Sequence, residues 1–187
     1  MDFPPNVIEV DGGPTLRRIS AETDAAAYHR LVDESLEHLR PWMYWVPDHP
    51  AVTDEFLATR DDRWESGQNF TYAIEEHGAP VGACSIFHAE GAAADVREIG
   101  YWLHPAVTGR GLATRAARAL VEEAFRLPGV AHVEISHDPA NLPSGAVPAR
   151  LGFSEFLRRP AERVAPGDTG EDVVWRISRE GGEPAVG

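Results

Sequence analysis

Apolar and polar positions along the chain follow two rhythms, alternation and a three-to-four-residue recurrence, and these predict strands and helices in turn. Thr15 to Ser20 reads as a first strand after the Gly12-Gly13-Pro14 turn. Ser20 or Thr23 is placed to cap a helix running to about Leu39, with Ala27, Leu31 and Ser35 or Leu36 as a modest apolar stripe. A second helix is predicted from Thr53 to Trp64, capped at Thr53, with Asp54 and Glu55 in its first turn and Gly67 at its end. Phe70–Ile74 and Val81–Phe87 alternate like the arms of a hairpin, and Ala92 to Leu103 supplies the next strand.

The strongest periodicity follows. Leu112, Ala116, Leu120 and Ala124, with Ala113, Ala117 and Val121, form one helical face, while Arg115, Arg118, Glu122 and Arg126 lie elsewhere and Pro128-Gly129 stops the helix. Ala131–Ser136 is a strand that should run parallel to the one ending at Leu103, because a helix connects them. A short helix over 143–150 and strands over 153–158 and 172–177 complete the chain, the last two flanking a loop over 160–170. The order implies an α/β (α+β) domain with a mixed sheet.

Composition narrows the class. At 187 residues, 43% hydrophobic and 25% charged, the chain fits one soluble domain. A net charge of −13 argues against a general nucleic-acid or anionic-membrane surface and is compatible with amine substrates. All 17 basic residues are arginine, which no physical mechanism in view requires. Cys84 is the only cysteine and reads as a small core residue, so a reducing compartment fits. With no basic and apolar leader and no membrane-length apolar run, a cytoplasmic protein is expected. The eight histidines are scattered without ligand spacing, so no metal is expected.

The chemistry concentrates in Thr108-Gly109-Arg110-Gly111-Leu112-Ala113-Thr114, between a strand that His104-Pro105 breaks and the strongest helix. Glycines there let backbone N–H groups approach a ligand, and a helix start offers unpaired donors, so phosphate is the expected guest. A nucleoside-triphosphate loop is excluded, since the chain has no lysine, and a dinucleotide fingerprint would need glycine at Thr114.

With Asn141-Leu142-Pro143-Ser144 and Gly152-Phe153 downstream, this stretch resembles the GNAT acyltransferase superfamily. Its acyl-CoA loop reads Q/R-x-x-G-x-G/A; Gly111 and Ala113 match the last two positions, and Thr108 replaces the expected Gln or Arg. The run Leu39-Arg40-Pro41-Trp42-Met43 resembles the Rim branch, whose members acetylate protein N-terminal amines. The resemblance implies a single GNAT domain over 15–179, after an N-terminal extension (1–14) and before a disordered tail (180–187). About seven strands, splayed at the acyl-CoA cleft, and about four helices are expected. It implies acetyl-CoA as acyl donor, held by residues 108–114, with Tyr101, Trp102 and Leu103 along the thioester and an N–H near Leu103 for the oxyanion. Asn141 would bond the pantetheine amides or form a turn. Arg110, Arg115 and Arg118 stand near the helix start, where they could pair with CoA phosphates or form a solvated charged face.

For transfer to an amine through a tetrahedral intermediate, Glu98 is the candidate base, on the strand face it shares with Gly100 and Trp102, unless it is only a partly exposed strand carboxylate. Many GNAT enzymes place a tyrosine acid where this chain has Pro148; Ser144 is the Rim-type replacement, unless it only opens its helix. The Rim glutamate after G-F falls on Phe156, with Glu155 one residue early, which leaves Glu98 ahead. Trp42, Tyr44 and Trp45 are either core packing or candidates for the acceptor-pocket wall, since the Rim resemblance implies that this region borders the acceptor pocket or a dimer contact. The expected function is therefore N-acetyl transfer from acetyl-CoA to a primary amine of a small molecule or a protein N-terminus. A catalytically weak acyl-CoA sensor and a transferase of longer acyl groups such as succinyl are the alternatives. Acceptor identity, acyl length and oligomeric state stay open.

Overall fold

The computed structural model describes residues 3–179. An eight-stranded sheet in the order β1-β2-β3-β4-β5-β6-β8-β7 runs through the molecule. The strands are β1 (Val7–Glu9), β2 (Thr15–Arg18), β3 (Asn69–Glu76), β4 (Ala79–Phe87), β5 (Val96–Leu103), β6 (His132–His137), β7 (Ser154–Pro160) and β8 (Glu171–Ser178). Every neighbouring pair is antiparallel except β5 and β6, which are parallel and joined by α5 (Leu112–Arg126). That crossover is the one expected from the order of elements. The short helix α6 (Leu142–Arg150) follows β6.

Two apolar layers cover the sheet. Leu112, Ala116, Ala117, Leu120 and Ala124 of α5 are buried against Cys84, Ile86, Ile99, Val133 and Ile135. On the opposite face, Ile19, Ala73 and Ala83 meet Tyr28 and Val32 of α1 (Ala21–Asp33) and Leu57 of α3 (Ala51–Ala58). Sheet residues therefore alternate between two cores, as a period of two requires. Cys84 is fully buried and its thiol is pushed well above the ordinary range, which fits a packing role.

The element count exceeds the sequence expectation of seven strands and four helices. β1 lies inside the segment assigned to an N-terminal extension; three residues carry no period, and only pairing with β2 makes them a strand. The first predicted helix is two, α1 and α2 (Leu36–Leu39), because Ser35 Oγ donates to Leu31 O (2.7 Å) and turns the chain. The second is also two, α3 and α4 (Arg60–Glu65), broken at Thr59, whose hydroxyl bonds back to Glu55 O and Phe56 O. Thr53 is not its cap: the helix starts at Ala51, and Thr53 is buried with Oγ1 2.7 Å from His49 Nδ1. Ser20 does precede α1, but the capping bond runs the other way, with Asp24 accepting from Ser20 N (2.8 Å). The expected tail over 180–187 lies outside the described residues. No helix among the described residues is long and apolar enough to cross a membrane.

Candidate active site

The site begins where two parallel strands part. β5 and β6 pair through Val96–His132, Arg97–Val133 and Glu98–Glu134, and there the ladder ends although both strands continue. His104 N donates to Val81 O on the β4 side (2.8 Å), so strand alternation aims the N–H groups of Leu103 and Tyr101 into the opening. A cavity of about 440 Å³ fills the fork, with Ile99, Gly100 and Tyr101 on one wall and Ile135, Ser136 and His137 on the other. An extended ligand could pair there with β5 as a missing strand would.

The loop at the rim has the backbone shape that the sequence suggested. Gly109 (φ +74°) and Gly111 (φ +77°) are left-handed, and a Cβ at Gly109 would meet nothing within 4 Å, so the space beside it is open. Gly111 is the residue before α5, whose first N–H groups have no helical partners. Thr108, Gly109, Arg110 and Gly111 are exposed, and Ala113 and Thr114 are partly so. Leu112 is buried in the core, so only its backbone is free to serve a ligand. Arg110 is turned away, with two bonds to the Glu76 carboxylate (2.8 and 2.9 Å), whereas Arg115 and Arg118 are exposed with no ion pair among the described residues.

Glu98 sits at the crotch of the fork, one residue before the cavity lining begins. Burial pushes its pKa up to about 7, with Glu134 adding to the rise and Ser136 opposing it. Glu134 itself is tied to Arg176. Ser136, missed by sequence reasoning, lines the cavity and stands against Glu98. Its Oγ is buried yet completes no well-formed hydrogen bond among the described residues, so a polar group in the cleft would find a partner there. Its signal was legible only through register, since it lies two residues beyond Glu134, the partner of Glu98.

The far side of the fork is held in place by side chains. Asn141 caps α6 by accepting from Ser144 N (3.3 Å) and also lines the fork cavity. Tyr101 donates to Ser144 O (2.8 Å), which links β5 to the first turn of α6 across the opening. His137 accepts from Trp175 Nε1 at its Nε2 (3.0 Å), so its Nδ1 carries the proton and donates to Asp138 O (2.7 Å). Its ring lies so close to Gly145 that a Cβ there would be 2.5 Å away. Ser144 lines the cavity, and the bonds it makes to Tyr101 and Asn141 use its backbone, not its hydroxyl.

A second cavity, about 670 Å³, lies on the α1 and α3 side of β5 and shares Met43, Gly100 and Tyr101 with the first. The aromatic run divides between the two: Trp42 lines the fork, and Tyr44 and Trp45 line the second cavity. Trp102 also faces the second cavity, edge-on to Tyr28 with ring centroids 6.0 Å apart, while Leu103 is buried in the α5 core. Of the three residues assigned to the thioester, only Tyr101 borders both spaces. Glu155 is exposed, paired with Arg158 (2.7 Å) and absent from the lining of the fork cavity.

This arrangement has known counterparts. Residues 15–154 match the family model described as "Acetyltransferase (GNAT) domain". YdaF of Bacillus subtilis (strain 168), whose name is that of a candidate ribosomal N-acetyltransferase, is 28% identical over 142 residues, covering 74% of this chain and 76% of its own. RimJ of Mycobacterium smegmatis, solved in complex with CoA-disulfide, superposes with a TM-score of 0.79 at 28% identity, over 93% of this chain and 86% of its own. RimL, a ribosomal L7/L12 N-acetyltransferase solved with coenzyme A, shares the fold with a TM-score of 0.83 at 21% identity, over 92% and 97% of the two chains. The open glycines, the unpaired N–H groups of the fork and the orphaned Ser136 hydroxyl all fit an extended acyl-CoA arm with phosphates at its end. The chain therefore belongs to the GNAT family of acetyl-CoA-dependent N-acetyltransferases, in its Rim-like branch.

Proposed function

We propose that the protein moves the acetyl group of acetyl-CoA to a primary amine by direct attack, with the second cavity receiving the acceptor. The observation that carries this reading is the fork itself: pairing stops at Glu98 and Glu134, and a carboxyl group tuned to about 7 lies at that point. Acetyl-CoA supplies an activated acetyl thioester, and the rest falls to this chain's side chains and backbone.

Residues 108–114 would hold the phosphates, mainly through backbone N–H groups around Gly109 and Gly111. Arg115 and Arg118 are free to add charge at the helix start, while Arg110 would first have to leave Glu76. The N–H groups of Tyr101 and Leu103 would orient the pantetheine arm and meet negative charge on the acyl oxygen. Glu98 is the base: half-ionised near neutral pH, it takes the ammonium proton through Ser136 or a water, since it stands just below the cavity lining. Ser144 is the acid that returns a proton to the leaving sulfur. Pro148 has none to give, and burial holds the Tyr101 phenol at about 12 with its proton directed at Ser144 O. Because YdaF carries a ribosomal N-acetyltransferase name, a protein N-terminal amine is the first acceptor class to test. Thiol release from acetyl-CoA over N-terminal peptides and small amines tests the proposal. Turnover with any of them supports it, and acetyl-CoA binding without turnover by any would favour a sensor.

A further inference from the structure

The second cavity holds a charge that nothing among the described residues balances. Arg60 is 7% exposed and lines the cavity together with Arg63. Its Nε donates to Phe56 O (2.7 Å), Nη1 to Thr71 Oγ1 (3.0 Å) and Nη2 to Thr59 Oγ1 (3.1 Å), and its guanidinium lies 4.0 Å above the Phe56 ring. Every one of these partners is neutral. Among the described residues Arg60 has no carboxylate within ion-pair distance, whereas Arg17 has two and Arg110 and Arg176 one each. Two of its five N–H donors are unused. Burial and the neighbouring Arg63 pull its pKa down to about 10, which still leaves it cationic at neutral pH. The single acid on the cavity wall, Glu55, is exposed and forms no ion pair with either arginine.

A buried cation without a counter-ion is costly to maintain, and a neutral side chain could hold Thr71 equally well. The cost is offset if a ligand brings the missing charge. Two free N–H groups on a planar fork suit the two oxygens of a carboxylate. The lining is rich in aromatic rings, among them Tyr28, Trp45, Phe56, Phe87 and Trp102. We infer that the acceptor of this enzyme carries a carboxylate at the end away from its amine, that Arg60 anchors it with Arg63 at the mouth, and that the connecting part is apolar or aromatic. The amine end of this inference rests on the acetyl-transfer reading; the carboxylate end rests on Arg60 and the cavity.

Matched acceptors test it: 4-(aminomethyl)benzoate against 4-(aminomethyl)benzamide, and the tripeptide amide Ser-Glu-Phe against Ser-Gln-Phe. The first pair represents a small acid, the second an acidic side chain near a protein N-terminus. In whichever pair fits the cavity, the anionic member should have a kcat/KM roughly ten- to a hundredfold higher, as a charge-assisted pair is worth. Arg60→Gln should bring that ratio toward one, Arg60→Lys should keep part of it, and Arg63→Gln should lower it less. The ratio separates anchoring from a general loss of folding, which would lower both members together. An independent arm needs no turnover: 4-methylbenzoate should quench the fluorescence of Trp45 and Trp102 at concentrations where 4-methylbenzamide does not. Equal kcat/KM within both pairs, or no benzoate selectivity where nothing is turned over, overturns the inference. Benzoate selectivity without turnover would uphold the anion site and rule out these amines as its acceptors.

Discussion

Replacing Glu98 with glutamine tests the site through both rate and stability. The Glu98 carboxyl moves from 4.5 to about 7 on folding, chiefly through burial beside Glu134. At about 1.4 kcal/mol per unit, the ionised group opposes folding by about 3 kcal/mol once the pH is well above 7. The folded pKa is the raised one, so the contribution of the protonated group is fully present below about 4.5 and is lost as pH rises through about 7. Glu98→Gln removes the ionisation and keeps the shape. Its stability relative to the wild type should therefore rise between pH 4.5 and 7 and level off above, by up to roughly 6–12 °C in Tm for a chain of this size. Turnover should fall by roughly 10²–10⁴, and the acid limb of kcat/KM, centred near 7 in the wild type, should disappear. Thermal melts from pH 4 to 9 and a thiol-release pH profile check both effects. A stability difference that is flat across this range would refute the buried, proton-binding Glu98, and an unchanged rate would remove it from catalysis.

Three further outcomes follow from the same geometry. Ser144→Ala should lower kcat by roughly 10² or more with little change in acetyl-CoA affinity, read by thiol release and calorimetric titration; full activity would make Ser144 structural. Gly145→Ala places a methyl 2.5 Å from the His137 ring, so it should displace the ring from Trp175 and disturb the wall carrying Ser144. The loss should appear in kcat and as a few degrees in Tm, and a neutral result would mean that α6 can shift without consequence. Leu120→Ala empties a fully buried position of α5 and should cost about 2–5 kcal/mol in denaturant unfolding, while kcat of the remaining folded enzyme changes little.

The sequence by itself determined the elements whose pattern is long or whose breakers are unambiguous. The α5 stripe, the β3–β4 hairpin and the glycine turn before α5 were legible because period, glycine and proline act locally. The parallel β5–β6 pair followed too, since a helical crossover leaves few alternatives. Tertiary structure decided what depends on register and burial. β1 exists only through its pairing with β2, and the first two predicted helices break where Ser35 and Thr59 hydroxyls compete for backbone bonds. Glu98 could be named from its strand, but the displacement of its proton affinity comes from three strands brought together around it. Trp42 and Trp45 are adjacent in one aromatic run yet line separate cavities, and Trp102 turns away from the fork because its face of β5 packs on Tyr28. Arg60 gave no sequence signal at all: it lies in a charged stretch that reads as a solvated surface, and only the packing of α4 against β3 buries it without a counter-ion. Local rhythm records which way each residue faces. The charge and burial it meets there are set by strands and helices distant in sequence.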